Sequence, residues 1–264
     1  MIIKNMITIN DCIYKILNCL IKNTTTYISG RPLTYNIDHY INVIFKVLCT
    51  GCQWNSLKEK LHYTVYHKHY LKWINQGIFN NLNNIITNMI SKFNDINSTV
   101  YIDSAIIRNI GGIEDISYNH KIKSKRGTKV SIIVNSKGIP ISIHVVNSNH
   151  HDVSLVLPNY YKINKRTKIN KIVGDKGYMS SKLKEYMLNK HQIDYLYPDK
   201  KNTLNPMTNE DKLIVKSRSI NEHSFSWMTQ YRRLTCRFEK YTKAFLGFIQ
   251  IAFCNITLNK IKNL

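Results

Sequence analysis

The chain has 264 residues, 43% of them hydrophobic and 20% charged, with 38 Lys and Arg against 16 Asp and Glu and a formal net charge of +22. That apolar fraction can fill a core of ordinary size and excludes a disordered basic tail, while 10 Gly and 5 Pro exclude collagen-like and Pro-rich classes. A charge this large calls for a polyanionic partner, although abundant Ile, Asn, Lys and Tyr look like the codon bias of an AT-rich genome, which accounts for part of the lysine excess.

No run of about 18 uninterrupted apolar residues occurs, so no membrane partner is expected. Residues 1–23 are apolar but broken by Lys4, Asn5, Asn10, Asp11 and Lys15, and they lack a small-residue cleavage site. They read as an amphipathic helix rather than a signal peptide, and the protein is expected inside the cell. Its six cysteines are then expected to be reduced. Cys49 and Cys52 form a lone C-x-x-C beside Trp54 with no second pair at zinc-finger spacing, which favours buried thiols.

From residue 10 to about residue 94 the apolar residues recur at helical spacing, as in Ile41, Ile44, Phe45, Leu48 and in Leu71, Ile74, Ile78. Breaks at Ser29-Gly30-Arg31-Pro32, Thr50-Gly51 and Gly77 predict a small all-helical domain with helix-turn-helix-like turns over residues 1–97. Within it His62, Tyr63, Tyr66, His67, Lys68, His69, Tyr70, Lys72 and Trp73 form one basic and aromatic stretch. Two readings stand side by side: a DNA-contacting helix read through His62, Lys68, His69 and Lys72, or a solvated face whose aromatics are core.

After residue 97 the period changes to two. Tyr101-Ile102 leads into Asp103, residues 130–134 are a β-branched run, and Ile139, Ile141, Ile143 and Val145 alternate with their neighbours. Asn135-Ser136-Lys137-Gly138 supplies a hairpin turn between the last two runs. Residues 152–161 read as a helix, 169–173 as a strand, 180–190 as a helix and 193–197 as a strand stopped by Pro198. From residue 218 onward the chain reads as helical, with Phe238, Tyr241, Phe245, Phe248, Ala252 and Ile256 on one face. The expected class is α/β, with a mixed five-stranded sheet over residues 98–264.

Acidic residues are scarce, so those ending apolar strands need a reason. Asp103 and Asp175 each close a β-branched run, where a carboxylate is poorly solvated unless a cation neutralises it. Two such aspartates with a third carboxylate make an all-oxygen set suited to Mg²⁺ or Mn²⁺, and two ions roughly 3.5–4 Å apart can drive displacement at phosphorus. His150-His151-Asp152 clusters two histidines and a carboxylate, but its spacing is wrong for a tight chelate on a helix.

Several segments resemble insertion-sequence DDE transposases, most closely those of the insertion sequence five type. Gly30-Arg31-Pro32, residues 48–54 and residues 73–77 resemble the family's helical N-terminal domain, and Tyr101-Ile102-Asp103-Ser104 its first strand motif. Residues 125–129, Gly138-Ile139-Pro140 and His150-His151-Asp152 are similar to the stretch that follows. Gly174-Asp175-Lys176-Gly177-Tyr178 resembles the second aspartate motif, and residues 218–227 with 231–234 and 237–240 resemble the third. The resemblance implies an RNase H-like catalytic domain in which Asp103, Asp175 and Glu222 are the catalytic and metal-holding residues. It also implies two Mg²⁺ or Mn²⁺ ions, with Arg218, Asp152 and His223 in support. Arg218 stands four residues before Glu222, the family's R-x-x-x-E spacing; His223 replaces the usual Arg, and Val215 a usual Tyr.

The implied activity is that of a transposase binding double-stranded DNA at inverted-repeat ends and at a target, as a homodimer or larger assembly, and catalysing cleavage and strand transfer. The alternatives are a non-catalytic DNA-binding remnant and a two-metal nuclease without strand transfer. Phosphate contacts are expected from Lys121, Lys123, Lys125, Arg126 and Lys129, from Arg232, Arg233, Arg237 and Lys240, and from Lys68 and Lys72.

Overall fold

The computed structural model describes residues 7–24, 33–91, 99–123, 125–163, 167–199 and 207–262; the predicted break at residues 29–32 lies outside them. The chain forms two compact units, one of Met1–Ile86, Ile110–Glu114 and Met228–Leu264, the other of Thr87–Asn109 and Asp115–Trp227. These units differ from the cut drawn from the sequence at residue 97: residues 87–97 fall in the unit with the sheet, and residues 110–114 and 228–264, read there with the sheet, fall in the helical unit.

In the helical unit, α1 (Asp11–Thr24), α2 (Ile37–Thr50), α3 (Tyr63–Asn75) and α4 (Ile78–Ser91) follow one another. Asn36 caps α2 by accepting from the His39 N–H, and Gly51 ends it at φ 69°, a left-handed conformation that glycine adopts without a Cβ clash. Tyr66, Tyr70 and Trp73 recur along α3 at helical spacing and are all buried, so the aromatics of the basic stretch are core. The long C-terminal helix, Thr242–Lys262, is apolar enough by length to cross a membrane, yet most of it is buried. It is a core helix of this unit: the Tyr70 hydroxyl donates to the Ala244 carbonyl at 2.6 Å, and Tyr70 stacks on Phe248 at 4.4 Å between ring centroids. Gly247 permits that approach, since a Cβ there would stand 3.1 Å from the Tyr70 oxygen.

The second unit carries the sheet. Its strands are β1 (Thr99–Asn109), β2 (Ser117–Asn119), β3 (Lys125–Asn135), β4 (Pro140–Asn147), β5 (Lys171–Val173) and β6 (Asp194–Leu196). β3 lies antiparallel between β1 and β4, while β5 runs parallel to β1 and β6 parallel to β5. The order β4-β3-β1-β5-β6 is the expected mixed five-stranded sheet, and the fold is RNase H-like. β2, missed in the sequence, extends the β4 edge by pairing with the first residues of β3. The predicted hairpin is present, with Gly138 at φ 69°.

Helix α5 (Val156–Lys162) follows a 3-10 turn over Asp152–Leu155, and α6 (Ser181–His191) is capped by the Ser180 hydroxyl. One core joins Val100, Ile102, Ile133 and Ile172 of the sheet to Val156 of α5 and Leu183 and Met187 of α6. Fully buried Asn159 fixes α5 on the sheet: its amide donates to the Ser131 hydroxyl at 2.9 Å, and its backbone carbonyl accepts from the Ser142 hydroxyl at 2.8 Å. The C-terminal part is more broken than its periodicity implies. It consists of α7 (Asn209–Lys216), α8 (Ile220–Thr229), a 3-10 turn at Arg232–Leu234, an extended pair Cys236–Arg237 and the long helix α9 from Thr242.

Candidate active site

The register of β1 against β5 builds the site. Tyr101 stands opposite Val173 in parallel pairing, and Asp103 and Asp175 each follow two residues later. Asp103 lies in the interior of β1, which runs on to Asn109 and so passes the point where the sequence pattern ended it, while Asp175 lies just beyond the end of β5; the register places the two at matching positions on neighbouring strands. Val173 ends β5, and the chain turns there through a 3-10 turn at Lys176–Tyr178.

That turn explains the spacing of Gly174-Asp175-Lys176-Gly177-Tyr178. A Cβ on Gly174 would lie 2.6 Å from the Tyr178 Cβ, so only glycine lets the tyrosine fold back beneath the strand end. The Tyr195 hydroxyl then pins the Tyr178 carbonyl at 2.7 Å. Asp175 caps the turn, its Oδ1 accepting from the Gly177 N–H at 2.8 Å. Tyr178 is a residue whose role the sequence did not disclose. Its hydroxyl is buried with no hydrogen-bond partner among the described residues, although Ser104, Ser131 and Asp152 surround it; burial holds the phenol well above its ordinary pKa.

Asp103 accepts from the Ser104 N–H at 2.7 Å. Burial is the largest influence on its carboxyl and, with Asp175 and Asp152 nearby, lifts it from 3.8 to about 6 against the lowering effects of the Ser104 N–H and of Arg218. Asp152 opens the turn before α5. Its Oδ1 accepts from the Ser104 hydroxyl at 2.6 Å and from Lys129 Nζ at 2.8 Å. Three carboxylates thus share one corner of the sheet with a buried lysine. Glu222 is elsewhere in character: it is exposed in the first turn of α8, as is its neighbour His223, and Arg218 is exposed in the 3-10 turn just before that helix. His223 stacks on Trp227 at 6.3 Å. Among the described residues no three His, Cys, Asp or Glu side chains converge closely enough to hold an ion.

The basic candidates divide by burial. Lys121, Lys123, Lys125, Arg126, Arg232 and Lys240 are exposed, as are Lys68 and Lys72 on α3. Lys129, Arg233 and Arg237 are buried and correct the expectation that they face phosphates. Lys129 is bound to Asp152. Arg233 pairs with Glu239 at 2.7 Å and donates to the Cys52 carbonyl at 3.0 Å, and Arg237 donates to the Glu239 carbonyl at 3.2 Å and the Thr242 hydroxyl at 3.1 Å. Among the proposed base readers His69 is half-buried, edge-on to Tyr40 at 4.8 Å; burial, then Lys72, pushes its pKa down, so it is a packing residue. His62 is exposed at the N-cap of α3. Cys49 is half-buried, and burial pushes its thiol up to about 12.

Residues 97–257 match the family model described as the transposase DDE domain. Among curated proteins nothing matches this chain. Among solved structures it is similar to the piggyBac transposase in its cryo-EM synaptic complex with hairpin DNA, at 11% identity and a TM-score of 0.49, over 96% of this chain and 73% of that one. With more than half its length inside the family model, Asp103, Asp175 and Glu222 included, the chain belongs to the transposase DDE domain family.

Proposed function

We propose that the chain is a transposase that binds double-stranded DNA at inverted-repeat ends, cleaves the phosphodiester there to expose a 3′ hydroxyl, and joins that hydroxyl to target DNA. The observation that carries the reading is the pairing of β1 with β5, whose register sets Asp103, within β1, and Asp175, just past the end of β5, at matching positions inside a family-matched domain. The donors suit a hard divalent cation: they are all carboxylate oxygens, and Asp103 is half-buried, its carboxyl pushed up to about 6 first by burial. Asp103 and Asp175 would hold Mg²⁺ or Mn²⁺, with Glu222 as the third carboxylate. When bound, two such ions stabilise the attacking and leaving oxygens of an in-line displacement, which serves hydrolysis and strand transfer alike.

The chain's own groups do the rest. The Ser104 and Gly177 N–H groups orient the two aspartates. The exposed Lys121, Lys123, Lys125 and Arg126 hold the backbone of the DNA, and two copies of the chain serve the two ends. The test is incubation with Mn²⁺ and DNA carrying the inverted repeats that flank the gene, scored for no cutting, cutting only, or joining. Asp103→Ala, Asp175→Ala and Glu222→Ala are each expected to abolish cleavage while leaving DNA binding equal or slightly stronger, because a negative charge near phosphates has gone. Cutting at the wild-type rate by Glu222→Ala would remove that exposed residue from the site, and cutting without joining would make the chain a nuclease.

A further inference from the structure

Asp152 is a carboxylate beside two proposed metal ligands, and one of its oxygens, Oδ1, is already engaged. Its Oδ1 accepts from both the Ser104 hydroxyl and Lys129 Nζ, and that ammonium also donates to the His150 carbonyl at 2.5 Å. The lysine side chain is 6% exposed and the aspartate's 18%, so the ammonium faces the protein rather than any phosphate. A buried ammonium is costly unless it is paired, and here its partner is the carboxylate of the corner that opens the turn before α5. Gly177 shows how near that carboxylate is to the others: a Cβ on it would lie 3.0 Å from Asp175 Oδ1 and 3.2 Å from Asp152 Oδ2. Lys129 holds the other oxygen, Oδ1, and released from it Asp152 would be free to turn both oxygens toward a cation held by Asp175.

Resting on the two-metal reading above, we propose that Lys129 is a positioning residue that, by holding Oδ1, keeps the Asp152 carboxylate from closing as a full ligand on the metal site. The consequence is chemical. A divalent ion with fewer protein carboxylates binds more weakly but keeps coordination positions for oxygens of the DNA, whereas an extra carboxylate tightens binding and occupies one of those positions.

The experiment measures Mn²⁺ binding to the full chain without DNA, by electron paramagnetic resonance of free Mn²⁺, together with cleavage and thermal melting with and without Mn²⁺. Lys129→Met is expected to bind Mn²⁺ about tenfold more tightly while cleaving more slowly, a combination that simple loss of stability does not produce. Equal or weaker binding by a folded Lys129→Met overturns the proposal. If that variant fails to fold, the charge-balanced double variant Lys129→Met with Asp152→Asn decides: affinity within about threefold of wild type supports the proposal, and a larger fall shows Asp152 to be a ligand already. Asp103→Ala tests the underlying reading separately, since Mn²⁺ binding unchanged by that substitution would dismiss the metal site itself.

Discussion

Two glycines in one motif carry different duties, and single substitutions separate them. At Gly174 the obstacle to a side chain is the buried body of Tyr178, whose backbone is held by Tyr195 and cannot retreat. Gly174→Ala is therefore an overpacking substitution and is expected to cost about 1–3 kcal/mol, measured as a lower thermal midpoint. At Gly177, which is exposed, the neighbours are the tips of the Asp175 and Asp152 side chains, which can move. Gly177→Ala is expected to leave the midpoint nearly unchanged and to slow cleavage by displacing Asp175. The reverse pattern, a stability loss at Gly177 and none at Gly174, would mean the turn is not built as described. In the sequence both glycines were visible only as part of a resemblance. What each one clears is a fact of the folded turn, because it depends on atoms of other residues in a chain that has doubled back.

Element by element, what was legible follows from how local its cause is. The alternation of β1, β3 and β4, the hairpin turn and the helical stripes of α2 and α3 all arise from neighbouring residues, and they appear where the pattern placed them. The fate of a basic residue inside an element is not local. Lys125 and Arg126 open β3 at its exposed end, whereas Lys129, a few residues on, sits where β3 is flanked by both β1 and β4 and is buried. Arg233 and Arg237 were counted with surface charge for the same reason, since their partner Glu239 is buried with them. The exposed arm formed by β2 and the start of β3, where Arg126 lies over the Tyr118 ring at 5.4 Å, is thus the stronger candidate for holding the DNA backbone. Replacing Lys121, Lys123, Lys125 and Arg126 by Ala is expected to flatten the dependence of log affinity on log salt by roughly 0.9 for each phosphate that is no longer neutralised. An unchanged slope would clear the arm of DNA.

At the scale of the whole chain, the apolar stripe of α9 announced a core helix but not which core, because periodicity records a buried face and not its partner. The partner is the helical unit, where the Asn10 N–H donates to the Asn255 side chain at 2.8 Å and the Tyr231 hydroxyl accepts from it at 2.9 Å. A fragment of residues 1–97 would leave Tyr70 and the buried faces of α1 and α3 without that helix, so recognition of DNA ends has to be measured on the full chain. Within the helical unit, α3 turns Tyr66, Tyr70 and Trp73 inward and leaves Lys68 and Lys72, one turn apart, in solvent. That is the geometry of a helix able to enter a major groove, while the exposed lysines of the β2–β3 arm are suited to the backbone of any sequence. Lys68→Ala with Lys72→Ala is accordingly expected to lower affinity for inverted-repeat DNA by about tenfold relative to random DNA at the same salt, the equivalent of about 1.4 kcal/mol of base discrimination. Equal losses on both DNAs would make α3 another backbone-binding element and move sequence reading to a different surface of the chain.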